Sequence, residues 1–286
     1  MTTRFPAVRD PQTGEMFRIE SCGVCGLGHT SPQPIDLGPY YGAQYHGGRH
    51  GVTDRMCMAR RVGFTNAVAA KGRVLDFGCG DGGYLAAVQA DGWDGVGVEI
   101  KPEHARAKGL TVFEDVHEAG TGFDVVTLWH CLEHVRSPRE TLDMLLPVLK
   151  PGGHVIIAVP NWDSLQASIF GRHWFHNDVP RHLSHFTPKA LAALFGSLGL
   201  DIVKRWNLEI EIDYFGWPQS ALNMIMPEPN VLFDTVTQRG RPHSPAQVAV
   251  SVALGSVFSV LSLPLFLAAT AMGRGAIMVY AVRLPG

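Results

Sequence analysis

The stretch from Val74 to Gly83 reads Val-Leu-Asp-Phe-Gly-Cys-Gly-Asp-Gly-Gly. An apolar run ends there in a glycine loop with the spacing G-x-G-x-x-G, formed by Gly78, Gly80 and Gly83, and a helical pattern follows. A strand that leads through such a loop into a helix is typical of nucleotide-binding α/β folds. Several of these folds share the glycine spacing, so the neighbouring residues must distinguish them.

Two carboxylates accompany the loop and indicate its ligand. Asp76 stands two positions before the first glycine, where a negative charge would repel a pyrophosphate but could pair with the ammonium of an amino acid. Glu99 ends the next predicted strand, where acidic residues accept hydrogen bonds from ribose hydroxyls. The pair favours a methionine-derived nucleoside over a dinucleotide. The alternative is that Asp76 only caps a helix and that Glu99 only lies at a solvated strand end.

Strand and helix patterns alternate around this loop, which predicts a parallel sheet covered by helices on both faces. The predicted strands are 73–77, 95–100, 110–113, 123–129, 154–159, 201–207 and 275–283. The predicted helices are 53–70, 82–90, 102–108, 138–149, which Pro151-Gly152-Gly153 would stop, and 188–198.

Several of these segments together resemble the successive motifs of class I S-adenosylmethionine-dependent methyltransferases. They are 74–85, 96–100, 123–138 with Trp129-His130-Cys131-Leu132-Glu133-His134-Val135, and 149–153. Residues 181–188 further resemble the branch near the ubiquinone-biosynthesis O-methyltransferases. The resemblance covers about 53–210. It implies a Rossmann-like, seven-stranded, mostly parallel sheet whose antiparallel last strand lies beside the sixth.

The same resemblance implies S-adenosyl-L-methionine as the cofactor and assigns its contacts. Asp76, Gly78 and Gly80 would hold the methionine part, Glu99 the ribose, and Asp115 the adenine amino group. The predicted cofactor-binding set also contains Cys79, Ile100, Val116 and Trp129.

Three histidines are candidates for the catalytic base. A sulfonium is an activated methyl donor, so the protein must align the acceptor and remove a proton from an O–H or N–H group. His130 emerges at a predicted strand end and ranks first, followed by His182 and His185; packing and helix capping are the alternatives. Ubiquinone-type relatives carry acids plus His at the positions of His130, Glu133 and His134 and are associated with a divalent metal. Such a metal is possible here but not favoured, because this chain has a histidine, His130, at the first of these three positions.

Composition narrows the partners and the compartment. With 24 Lys and Arg against 26 Asp and Glu, the net charge of −2 offers no footprint for nucleic acid. A basic cluster, Arg55, Arg60 and Arg61, fits the solvated face of a helix. Five cysteines and a charged N-terminus favour the cytoplasm. A small-molecule acceptor is therefore expected.

Two regions lie outside the resemblance. Residues 1–52 read as an irregular extension with a Cys22-x-x-Cys25 hairpin, in which zinc would need ligands from His46, His50 and Cys57. Residues 211–272 form an apolar helical insertion before the last strand, and 53–210 with 273–286 form the methyltransferase domain.

The insertion contains 25 residues without a charge, 248–272, with Pro264 expected to break or kink the helix. If strands 201–207 and 275–283 pair, one simple crossing of a membrane is excluded. A membrane-associated hairpin or interfacial helix, a lid and a dimer contact remain open. The segment favours a lipophilic acceptor and contact with the inner face of a membrane.

The sequence thus predicts an enzyme that transfers a methyl group to a small, hydrophobic acceptor by in-line displacement. A non-catalytic, membrane-attached cofactor-binding protein and a dinucleotide oxidoreductase are the alternatives, and Asp76 disfavours the second.

Overall fold

A computed structural model describes residues 1–41, 52–238 and 240–284, which form two compact units. Among these residues, one unit takes 1–41, 160–190 and 207–278, and the other takes 52–159, 191–206 and 279–284.

The strands and helices are numbered in chain order. The strands are β1 (Thr2–Arg9), β2 (Met16–Ser21), β3 (Gly28–Ser31), β4 (Arg73–Phe77), β5 (Asp94–Val98), β6 (Val112–Phe113), β7 (Phe123–Trp129), β8 (Leu149–Pro160), β9 (Ser184–His185), β10 (Asp201–Trp206) and β11 (Ile277–Arg283). The α-helices are α1 (Val52–Asn66), α2 (Gly83–Ala90), α3 (Glu103–Arg106), α4 (Pro138–Leu145), α5 (Leu165–Phe170), α6 (Pro188–Ser197), α7 (Ile210–Ile225), α8 (Val231–Thr237) and α9 (Pro245–Ala271).

The larger sheet has seven strands in the order β10-β11-β8-β7-β4-β5-β6. Strands β4 to β8 pair in parallel, whereas β11 pairs antiparallel with β10. Val74 and Leu75 of β4 are fully buried, as expected for a strand covered on both faces. The Rossmann-like sheet, its antiparallel last strand and the helical insertion before that strand are confirmed.

The smaller sheet corrects the prediction for the N-terminal residues, because 1–41 are not irregular. Strands β1, β2 and β3 pair antiparallel, and β9 completes the sheet beside β3. In β2 the apolar Phe17 and Ile19 are buried at alternate positions, which is the period of a strand with one covered face. Cys22 and Cys25 lie in the turn between β2 and β3. Residues 42–51, with His46 and His50, lie outside the described residues.

Two other local predictions were wrong. Pro151-Gly152-Gly153 does not stop a helix but lies within β8, since α4 ends at Leu145 and a 3-10 turn follows it. The break at Pro264 is also wrong, because α9 runs continuously from Pro245 to Ala271, whereas a kink at Pro264 stays a prediction. Proline lacks only one backbone N–H, so the helix loses the hydrogen bond to the carbonyl of Val260 and continues through the remaining turns.

Candidate active site

The glycine loop between β4 and α2 has one crowded and one open position. Gly78 has φ of +73°, and a Cβ there would lie 2.6 Å from Sγ of Cys131. Gly80 has φ of +57°, and no heavy atom lies within 4 Å of the position that its Cβ would occupy. The loop therefore packs against the protein at its first glycine and leaves free space at its second. Cys79 between them is buried, and burial raises the pKa of its thiol.

Asp76, the predicted partner of the cofactor's ammonium, lies in β4 just before the loop and is only 2% exposed. Its Oδ1 accepts a hydrogen bond of 2.7 Å from the hydroxyl of Thr127 in β7. Burial raises the pKa of Asp76 to about 7, although the Thr127 hydrogen bond and the charge of Arg61 both act to lower it. A buried carboxylate with one hydroxyl partner can accept further hydrogen bonds and a positive charge.

Glu99 follows β5 and reaches the glycine loop. Its carboxylate accepts hydrogen bonds from the backbone N–H of Gly80 at 2.8 Å and of Lys101 at 3.2 Å. The neighbouring Ile100 is 85% exposed. The structure thus brings Asp76, the glycines and Glu99 together at the carboxyl ends of β4 and β5, where ligands bind in open α/β sheets.

Asp115 and Val116 follow β6. The side chain of Asp115 caps a 3-10 helix, Val116–Ala119, by accepting a hydrogen bond of 2.9 Å from the N–H of His117. Val116 is buried beneath it. Asp115 therefore has a local structural partner besides any contact with a ligand.

Trp129 ends β7 within an aromatic cluster that the sequence analysis missed. Its ring centroid lies 6.3 Å from that of Phe64 and 5.2 Å from that of Tyr84. The guanidinium of Arg61 lies 4.9 Å from its centroid, and Arg61 is only 8% exposed. Arg61 is therefore not on a solvated helix face, which corrects that interpretation of the basic cluster. The spacing Cys57, Arg61, Phe64, all buried in α1, was the available signal.

His130 has an unusual backbone conformation next to Trp129. Its φ is +51°, a region that few residues other than glycine adopt, and its N–H donates to the carbonyl of Ala158 at 2.9 Å. Nδ1 of His130 lies 3.4 Å from Oε1 of Glu133, which is almost fully buried. The imidazole remains 22% exposed. A buried carboxylate thus faces one ring nitrogen of a partly accessible histidine.

His182 and His185 belong to the other unit. Nδ1 of His182 lies 2.9 Å from the carbonyl of His176, and Nε2 of His185 lies 2.9 Å from the hydroxyl of Thr30. Burial holds the pKa of His185 well below its usual value, and its ring packs 5.5 Å from that of Trp162. This environment favours a structural role for His185.

Comparisons with known proteins agree with this geometry. The family described as methyltransferase domain matches residues 54–205. A ubiquinone biosynthesis O-methyltransferase of Cereibacter sphaeroides is 33% identical over 168 residues, which cover 52% of this chain and 68% of that protein. One of Methylococcus capsulatus is 31% identical over 151 residues, 46% of this chain and 63% of that protein.

A solved structure shares the fold. Phosphoethanolamine N-methyltransferase 2 of Haemonchus contortus aligns with a TM-score of 0.51 at 17% identity, over 82% of this chain and 53% of that one. The family match spans more than half of the sequence and includes the whole glycine loop. The chain belongs to the methyltransferase-domain family and is a class I S-adenosylmethionine-dependent methyltransferase.

Proposed function

We propose that this enzyme transfers a methyl group to a small, hydrophobic acceptor by in-line displacement. The observation that carries the proposal is the set of three groups at the ends of β4 and β5: buried Asp76, the open face of Gly80, and Glu99 bonded to the loop. The site lies within the proposed methyltransferase domain, 53–210 and 273–286.

These groups fit S-adenosylmethionine. Asp76 would hold the ammonium, because it is a buried carboxylate that accepts a hydrogen bond from the hydroxyl of Thr127 and can pair with a positive charge. The backbone of Gly78 and Gly80 would hold the rest of the methionine part, and Glu99 would accept hydrogen bonds from the ribose hydroxyls. The bound cofactor supplies an activated methyl group. The adenine contacts would come from Asp115, and the remaining lining from Cys79, Ile100, Val116 and Trp129.

His130 is the proposed base. Glu133 would hold Nδ1 of His130 protonated, which leaves Nε2 to accept a proton from an acceptor hydroxyl or amine. The strained backbone at φ of +51° supports this role, because such strain is typical of functional positions. His182, which is 7% exposed, is the next candidate, and His185 ranks third because it is buried beside Trp162.

The lipophilic character of the acceptor and a working place at the cytoplasmic face of a membrane are also part of the proposal. Among the described residues, α9 alone is long and apolar enough to cross a membrane, and only 17% of its most apolar window is buried. The relatives named above act in ubiquinone biosynthesis, which is consistent with an apolar acceptor.

Calorimetry with S-adenosylhomocysteine tests the cofactor site. We expect the wild type to bind, Asp76→Ala to lose binding, and Asp94→Ala to retain it, because Asp94 is an exposed carboxylate at the other end of β5. Absence of binding by the wild type would overturn the proposal. Transfer of a radiolabelled methyl group to lysate extracts then tests the acceptor, since label in the aqueous fraction alone would contradict a lipophilic one.

A further inference from the structure

Helix α9 has the reverse of the side-chain distribution of a water-exposed helix. Its buried positions carry small residues, Ser251, Gly255, Ser262 and Ala269. Eight of its exposed positions carry large aliphatic residues, at 43% to 72% exposure: Val250, Val252, Val257, Val260, Leu261, Leu263, Leu265 and Leu267. Small residues between helices with large apolar residues outward are typical of helices in lipid.

The small face of α9 is already covered by protein. A Cβ on Gly255 would lie 2.7 Å from Cδ2 of Leu232 in α8, so the small residue is needed for this approach. The hydroxyl of Tyr214 in α7 donates to the carbonyl of Ser259 at 2.5 Å. The large aliphatic side chains therefore form the remaining, outer surface of α9.

This outer surface is too wide for one protein partner. At about 100° per residue, the exposed positions from Val252 to Leu265 cover roughly 220° of the helix circumference. A neighbouring helix covers a stripe of about 100°. The segment from Pro245 to Gly273 also contains no charged residue, whereas protein interfaces have a polar rim. An uncharged surface of this width is complementary to hydrocarbon.

An apolar groove extends the same surface. It lies between the end of α7 and the start of α9 and is lined by Ile225, Met226, Pro227, Ala246, Gln247, Val250 and Leu254. Apart from the amide of Gln247, these are apolar side chains, and the groove has the chemistry to take an acyl chain.

The connections of α9 argue against a crossing. Trp206 of β10 pairs with Val279 of β11, so the chain leaves and re-enters the sheet at adjacent strands. Helices α7 and α8 contact α9 near its midpoint, at Ser259 and Gly255. A perpendicular α9 would draw them into the hydrocarbon, together with the carboxylate of Glu211.

We propose that α9 is a monotopic membrane-binding helix, which lies in the plane of a phospholipid leaflet with its aliphatic surface in the hydrocarbon and α7 and α8 on the aqueous side. This deepens the membrane contact in the proposed function and rests on it. The attraction is apolar. The flanking cations are engaged, Arg241 with Glu228 and Arg274 with Asp163, and the chain carries a net charge of −2.

Flotation of the full chain with phosphatidylcholine vesicles tests the surface. We expect the wild type to float with uncharged vesicles, equally at low and high salt. The double variant Val260→Lys with Leu261→Lys should reduce the partition coefficient about tenfold or more, because lysine is costly in hydrocarbon. The matched control, Val24→Lys with Ile35→Lys, adds the same charge at aliphatic positions that are 81% and 97% exposed and should float like the wild type.

Impermeant maleimide labelling of vesicle-bound Pro242→Cys and Met272→Cys, assigned by peptide mass, tests the orientation. Both ends of α9 should be labelled from outside; protection of one end would show a crossing and overturn the monotopic proposal. Three results would overturn the proposal that the aliphatic surface of α9 enters hydrocarbon. They are no flotation of the wild type, equal flotation of both double variants, and salt-dependent flotation with anionic vesicles only. A wild-type dimer in solution that the α9 variant dissociates would assign the surface to a second copy. Calorimetry with S-adenosylhomocysteine on the same variants separates these outcomes from failure of the cofactor site.

Discussion

The carboxylate of Glu99 accepts a hydrogen bond of 2.8 Å from the backbone N–H of Gly80. This contact joins the end of β5 to the glycine loop. Ribose hydroxyls bound at the loop would donate to the same carboxylate, which can accept several hydrogen bonds at once.

Replacing Glu99 by Gln should therefore weaken binding while preserving the fold. The amide oxygen can still accept from Gly80, but the charge is lost, and a hydrogen bond to a charged group contributes about 1.5–3 kcal/mol. We expect S-adenosylhomocysteine to bind about 10- to 100-fold more weakly by calorimetry, with little change in Tm. Glu103→Gln, an exposed acid at the start of α3, is the control. Unchanged affinity of the Glu99→Gln variant would contradict the proposal that Glu99 binds the ribose hydroxyls.

The raised pKa of Asp76 leads us to expect that cofactor binding depends on pH. Its pKa in the folded protein is raised to about 7, so the carboxyl is largely protonated below that pH and cannot pair with an ammonium. The affinity for S-adenosylhomocysteine should rise as pH increases from 5.5 to 7, and binding at pH 6 should release a proton. Calorimetry in buffers of different ionisation enthalpy measures both effects. The variant Asp76→Asn should lose the dependence, and a flat wild-type profile would contradict the assignment.

Alanine substitutions at Gly78 and Gly80 should have different effects, the first on stability and the second on cofactor binding. Gly78→Ala places a methyl group 2.6 Å from Sγ of Cys131 at a positive φ, so we expect a loss of about 2–4 kcal/mol in the free energy of unfolding. Gly80→Ala meets no atom within 4 Å and should cost about 1 kcal/mol, from its positive φ alone. The second methyl group points into the proposed cofactor space and should abolish binding. Denaturant unfolding and calorimetry distinguish the two, and equal stabilities would contradict the packing at Gly78.

His130→Asn tests the proposed base. Asparagine tolerates a left-handed backbone, so the variant should fold and bind S-adenosylhomocysteine like the wild type. Methyl transfer to an O–H or N–H acceptor should fall about 10²- to 10⁴-fold, the range for general base catalysis. Glu133→Gln should reduce kcat less and shift its pH profile, because Glu133 acts only through the imidazole. Full turnover by His130→Asn would transfer the role to His182.

The parts of the fold that follow from local rules were predictable. The glycine loop, the strand before it and Glu99 all lie in one continuous β-α-β stretch, where chain direction and strand ends determine which residues meet. The order of the last two strands was available only through the family resemblance. It depends on pairing between Trp206 and Val279, which are far apart in the sequence.

Other features depend on tertiary contacts that one sequence does not show. The charge of Arg61 predicts a solvent-exposed side chain, yet Arg61 is buried with its guanidinium over the ring of Trp129. Pro6 in β1 and Gly28 in β3 favour loops, but antiparallel pairing of β1 with β2, of β2 with β3 and of β3 with β9 holds these segments as strands. Proline normally ends or kinks a helix, yet α9 continues past Pro264 to Ala271.

Pairing of β3 with β9, in which His29 faces Ser184, also determines when the N-terminal sheet can be completed. On the ribosome, β1, β2 and β3 emerge early, whereas β9 follows after roughly 150 residues, or about 8–30 s at typical elongation rates. During that interval the edge of β3 has no partner strand, and an open edge is a site of aggregation. Slower translation between these two strands should therefore lower the yield of folded enzyme more than slowing after residue 185.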